Sequence, residues 1–161
     1  MESLATGLII FILIFAIIII ILSVLELIGM WKIFKKAGKK GWEAIIPYYN
    51  IWVLNEISGC VWWFFLLAIA SSLISFDLSL NLSETSKVTY NPLEFIGSIT
   101  NLFAMYMINY NISKKFGKSH GYAIGLTLLP YIFYPILGFG KNNFDNNIKV
   151  SPYGAIKEGE I

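Results

Sequence analysis

The sequence has no arginine, one cysteine (Cys60) and one histidine (His120), and only 14% of its 161 residues are charged. Each shortage excludes something. One cysteine cannot close an intramolecular disulfide or build a thiolate cage, and no metal triad can be assembled around one histidine, so neither a metal nor another cofactor is expected. Without arginine the chain lacks the bidentate reader of base edges, and its lysines flank apolar runs where membrane topology already accounts for them, so nucleic acid is not expected as a partner. With 57% hydrophobic and 16% aromatic residues, the composition is too apolar for a water-soluble domain of this size, and lipid must cover much of the surface.

What is present is long apolar runs. From Leu4 to Met30 the chain is apolar apart from Thr6, Ser23 and Glu26, long enough to span with some tilt. The start carries Glu2 in place of a basic cluster and no small-residue cleavage site follows, so this is an anchor that stays and not a cleaved signal. Residues 42–57 are shorter and more polar, broken by Pro47 and carrying Trp42, Tyr48, Tyr49 and Trp52. That mixture predicts an interfacial or re-entrant piece. Further spans are expected over about 60–76, 92–112 and 121–139, with a Ser/Asn/Thr-rich loop at 77–91 and a tail at 141–161 that is Asn-, Gly- and Lys-rich, hence flexible. The fold class is therefore all-α: one integral membrane domain over residues 1–140, with about four transmembrane helices.

Orientation follows the lysines. Lys32, Lys35, Lys36, Lys39 and Lys40 follow the first run, and Lys114, Lys115 and Lys118 follow the third, so both basic loops belong on the cytoplasmic face of a cytoplasmic (inner) membrane and the N-terminus lies outside. Four crossings put eight lysines inside and four outside. A re-entrant last segment, for which Pro130 and Pro135 are the cue, returns the tail lysines inward and makes the split eleven to one. The second split obeys the rule better, yet 19 apolar residues suffice to cross, and four spans is the main expectation.

The basic loops are alike beyond charge. Residues 33–42 read IFKKAGKKGW and residues 112–122 read ISKKFGKSHGY, each after an apolar helix and each before an apolar stretch with a proline. One reading is a duplicated unit of the kind from which many transporters are built; the other is convergence on Lys caps, Gly turns and interfacial aromatics.

The pair FKKAGKKGWEAIIPYYN (residues 34–50) and LLPYIFYPILGFG (residues 128–140) resembles a family of small uncharacterised bacterial multi-pass membrane proteins over about residues 20–140. The resemblance implies architecture and no activity. Members are sometimes labelled signal peptidase I, a chemistry that needs a serine nucleophile and a lysine with a depressed pKa on the external face. Ser113 and Lys114 are adjacent and cytoplasmic, and Ser83 and Lys87 have nothing to desolvate the lysine, so the chain is expected not to be an enzyme.

Intramembrane polar residues are better leads. Glu26 shares a helix face with Ser23 and Gly29, and Glu94 with Gly97, Ser98 and Asn101. Glu26 lies about 9 Å from the lysine end by helical rise, a depth that matches Asn109 and not Glu94. Glu26, Glu94, Asn101 and Asn109 are the candidate polar site, read either as a proton or cation relay or as packing glue with a snorkelling carboxylate. Lys35, Lys36, Lys39, Lys114, Lys115, Lys118, Trp42 and Tyr122 are the candidate contacts to anionic headgroups. The leading functional expectation is a non-enzymatic partner or scaffold protein acting through lipid and helix contacts, with a homo-oligomer or an unknown membrane partner. The alternative is an oligomeric pore or small transporter, and the least favoured a membrane-embedded peptidase.

Overall fold

The computed structural model describes residues 2–82 and 92–153, with side chains at 2–5, 74–82, 93 and 94 outside that description. The Glu94 side chain and all of Ser83 and Lys87 therefore lie outside the described residues. Regular structure among the described residues is helical: α1 (Glu2–Lys36), a 3-10 turn (Gly41–Ala44), α2 (Tyr49–Ser58), α3 (Trp63–Leu82), α4 (Pro92–Lys115), α5 (His120–Leu128) and α6 (Pro130–Phe139). Among the described residues one helix, Thr6–Lys36, is long and apolar enough to cross a membrane by length and composition. α3 and α4, of 20 and 24 residues, reach about 30 and 36 Å by helical rise. α3 continues to Leu82, past the end expected near residue 76.

α1 contains no proline, so its backbone ladder is uninterrupted. Leu8, Phe11, Ile14 and Ile20 are each more than half exposed. Four residues on different sides of one helix cannot all face a single core, so the outer half of α1 carries apolar surface all round. Its inner third packs closely on α6. A Cβ on Gly138 would lie 2.4 Å from the Gly29 carbonyl oxygen, so only glycine permits this approach.

α1 and α4 end alike. Gly38 and Gly117 take positive φ values of 79° and 67°, which glycine adopts without steric cost. Lys39 N donates to Phe34 O and Lys118 N to Ser113 O, each at 2.8 Å, while Gly38 N reaches Lys35 O and Gly117 N reaches Lys114 O. This is the Schellman pattern twice, 79 residues apart. The same spacing relates Trp31 to Tyr110, whose rings lie 5.9 and 5.6 Å from the ammonium groups of Lys35 and Lys114.

After each of these turns the chain folds back. Leu129 (φ −131°, ψ 57°) breaks the helix and Pro130 starts the next, at the position where a missing N–H costs nothing. Residues 122 and 133 would be about 16 Å apart along one helix. Instead the Tyr122 hydroxyl donates to Phe133 O at 3.3 Å and the two rings meet edge-on at 5.1 Å. The expected single span over 121–139 is thus a helical hairpin whose two ends lie at the same end of the bundle. Lys36 Nζ reaches Gly140 O at 2.6 Å and Leu137 O at 3.1 Å, and Asp145 N reaches Lys115 O at 2.9 Å. The stretch 40–59 does likewise: Gly41 sits against the Trp31 indole, α2 returns, and Lys39 pairs with Glu56 at 2.5 Å.

Residues 141–153, expected as part of a flexible tail, are tied to the body. Asn111 Nδ2 donates to Ser151 O at 2.7 Å, Asn142 Nδ2 to Phe116 O at 3.3 Å and Val61 N to Pro152 O at 3.0 Å. The rings of Phe116 and Phe144 meet edge-on at 5.2 Å. The Asn142 bond satisfies a carbonyl that the end of α4 would otherwise leave open.

Candidate functional site: a polar cleft behind two helical hairpins

A cleft of about 260 Å³ lies where α1, α2, α4, α5 and α6 converge, and Glu26, Asn50, Asn101, Thr127 and Tyr134 supply its polar wall. Met30, Leu54, Met105 and Leu126 supply apolar wall. Glu26 stands on the last part of α1 before its packing against α6. Asn50 is in the first turn of α2, while Thr127 and Tyr134 come from the two limbs of the α5–α6 hairpin. The break at Leu129 is what brings these two limbs to one place.

Of the four polar candidates, Glu26 and Asn101 meet in this cleft. Asn109, expected at the depth of Glu26, is fully buried just behind it. It does not bond the carboxylate: its Nδ2 donates to Thr127 Oγ1 at 3.2 Å and its Oδ1 accepts from the Tyr134 hydroxyl at 2.8 Å. α6 and not α4 packs on α1, and Tyr134 stands between the two residues. Asn101 Nδ2 bonds across to α3, at Ala68 O (3.0 Å), Ser72 Oγ (3.1 Å) and Ser71 Oγ (3.3 Å). A second opening of about 320 Å³, lined by Ser71, Ser72 and Ser98, shares Asn101 and Leu102 with the first. Polar surface thus continues from one to the other.

The basic candidates divide. Lys35, Lys114 and Lys118 remain at the surface beside Trp31, Tyr110 and Tyr122, at 5.6 to 5.9 Å from the rings, and Trp42 is 46% exposed. Lys39 is held by Glu56. Lys36 and Lys115 bond carbonyls at helix ends: a helix C-terminus leaves carbonyls unpaired and carries partial negative charge, and a nearby ammonium satisfies both. Lys115, 9% exposed, donates to Ile57 O at 2.8 Å. Tyr122 turns inward to Phe133 O.

Among the described residues no three His, Cys, Asp or Glu side chains lie close enough together to hold a metal ion. His120 Nε2 sits 3.3 Å from the Tyr110 hydroxyl. Ser113 is fully buried with its Oγ unbonded, while Lys114 lies over Tyr110.

Asn50, Thr127 and Tyr134 escaped sequence reasoning. Asn50 falls in the stretch read as interfacial, and the other two stand within a nearly uniform apolar run. The spacing of Thr127 and Tyr134 on either side of Pro130 was the available signal.

The chain belongs to a family of unknown function, DUF5684, which matches residues 42–147. That stretch holds both hairpins, α3 and α4; Asn50, Asn101, Asn109, Thr127 and Tyr134 fall inside it and Glu26 outside. No curated protein and no solved structure gives a significant match.

Proposed function

We propose that this DUF5684 member is a small, non-enzymatic, multi-pass protein of the cytoplasmic membrane that carries or passes a small polar solute by way of the cleft at Glu26. In this reading α1, α3 and α4 cross the bilayer with the N-terminus outside, and both hairpins are re-entrant from the cytoplasmic face. The reading draws its main support from one observation: five helices bring Glu26, Asn50, Asn101, Thr127 and Tyr134 to a single cleft in a chain whose outer surface is apolar. Carboxylate and amide groups at membrane depth are costly and mark polar paths. A broken helix such as the one at Leu129 is tolerated there only where it is covered by protein or lines a cavity. Returning the tail to the cytoplasmic side leaves Lys87 as the single external lysine, in keeping with the positive-inside rule.

A second reading has its own support. The outer half of α1 exposes Leu8, Phe11, Ile14 and Ile20 in all directions, a surface suited to helix contacts with a membrane partner or a second copy as well as to lipid. The peptidase reading has no such support.

Reconstitution separates the two. Vesicles carrying the wild-type chain are expected to release or accumulate small solutes faster than protein-free vesicles, and Glu26→Leu, at equal incorporation, to abolish the difference. Wild-type flux equal to that of empty vesicles overturns the solute reading and leaves contact through α1.

A further inference from the structure

Building on that solute-passing reading, we infer that the cleft is selective for a small monovalent cation, held by the Glu26 carboxylate and neutral oxygen atoms. The polar hydrogens of three side chains in the wall are already engaged. The Thr127 hydroxyl donates to Ala123 O at 2.9 Å, and the Tyr134 hydroxyl donates to Asn109 Oδ1 at 2.8 Å. The Asn101 amide hydrogens go to Ala68 O and the serine oxygens of α3. The donors of these three side chains are therefore turned into the protein. What they leave for an occupant is lone pairs: the remaining ones on Tyr134 Oη and Thr127 Oγ1, and Asn101 Oδ1. Only the Asn50 amide offers both kinds of group.

Charge points the same way. Glu26 makes no hydrogen bond or ion pair among the described residues, whose one ion pair is Lys39–Glu56. No lysine lines the cleft; Lys32, the nearest in sequence to Glu26, has its ammonium over the Phe139 ring at 3.7 Å. A wall of acceptors with one uncompensated negative charge repels anions and offers a neutral acceptor the Asn50 amide alone. One carboxylate matches one positive charge. Protein calcium sites gather six to eight oxygens with several carboxylates, and magnesium demands strict octahedral geometry, and this wall has neither. At about 260 Å³, against about 30 Å³ for a water molecule, the cleft holds a partly hydrated alkali ion or a short alkylammonium ion.

The test reads binding without flux. The purified full chain in detergent micelles is heated at constant ionic strength while sodium, potassium or methylammonium chloride replaces N-methylglucamine chloride. A saturable rise in Tm with at least one of the three, unchanged when gluconate replaces chloride, is expected. Sodium or potassium acting alone identifies an alkali-ion site, and methylammonium acting alone an ammonium site. Glu26→Gln is expected to weaken the apparent affinity roughly tenfold or more, the loss of one charge-assisted contact, whereas Glu56→Gln retains the response. If Glu26→Gln does not unfold cooperatively, Glu26→Asp replaces it, with a weaker half-saturation expected. No rise with any of the three ions, or an equal rise in the Glu26 variant, overturns the inference. A cation-dependent rise without vesicle flux overturns passage and keeps the site, and flux without any rise overturns the cation and keeps passage.

Discussion

Lys36 and Lys115 occupy equivalent places 79 residues apart, and each reaches the end of the hairpin that follows the other. Lys36, closing α1, donates to Gly140 O at 2.6 Å and Leu137 O at 3.1 Å after α5 and α6. Lys115, closing α4, donates to Ile57 O at 2.8 Å at the end of α2. The exchange couples the halves: α1 packs on its own 3-10 turn and on α6, α4 on its own α5 and on α2.

Removing either ammonium leaves helix-end carbonyls unpaired. Lys36→Met and Lys115→Met are each expected to cost about 1.5–3 kcal/mol, as for other hydrogen bonds to charged groups. Lys35→Met and Lys114→Met, which keep those carbonyls capped, should stay within about 0.5 kcal/mol of wild type. Thermal unfolding in one detergent compares the four, and equal effects at both pairs would contradict the assignment.

Gly138→Ala places a Cβ 2.4 Å from Gly29 O, and Gly29→Ala places one 2.6 Å from Pro135 N. Backbone cannot yield as a side chain does, so each should destabilise by about 1–3 kcal/mol. Gly121→Ala meets nothing nearer than Ser119 Oγ at 4.0 Å and, inside α5, should be neutral or stabilising by up to about 1 kcal/mol. The Tm values of the three variants check the order.

Tyr134→Phe removes the donor to Asn109 Oδ1, an atom of a fully buried residue. A loss of about 1–3 kcal/mol is expected. Tyr131→Phe, at a residue 48% exposed, should change stability by less than about 0.5 kcal/mol. Equal Tm values for the two variants would contradict the role given to Tyr134.

Much of this fold could be read in the residues. The apolar run through α1, the KK-x-GK turns and the proline-bearing stretches behind them all have local causes, and the structure places elements at each. The direction of the chain after Leu129 does not. Nineteen apolar residues look alike whether they continue or double back, because helical periodicity carries no information on the next element. The lysine count favoured the fold-back and segment length opposed it; contacts distant in sequence, such as Lys36 with Gly140, are what close the hairpin. The cleft was half legible for the same reason. Glu26 and Asn101 stand out as polar groups in apolar helices, while Thr127 and Tyr134 acquire their meaning from the bend between them.

The return of the α5–α6 hairpin to the cytoplasmic face is the claim on which the cleft depends, and cysteine accessibility in intact cells tests it most directly. In a Cys60→Ala background, single cysteines replace the exposed residues Lys40 and Asn146 and, in the connection between α3 and α4, Ser86. A membrane-impermeant maleimide is expected to label Ser86→Cys alone, with Lys40→Cys and Asn146→Cys becoming reactive together once the membrane is permeabilised. Labelling of Asn146→Cys in intact cells would make residues 121–139 a full crossing and contradict the account.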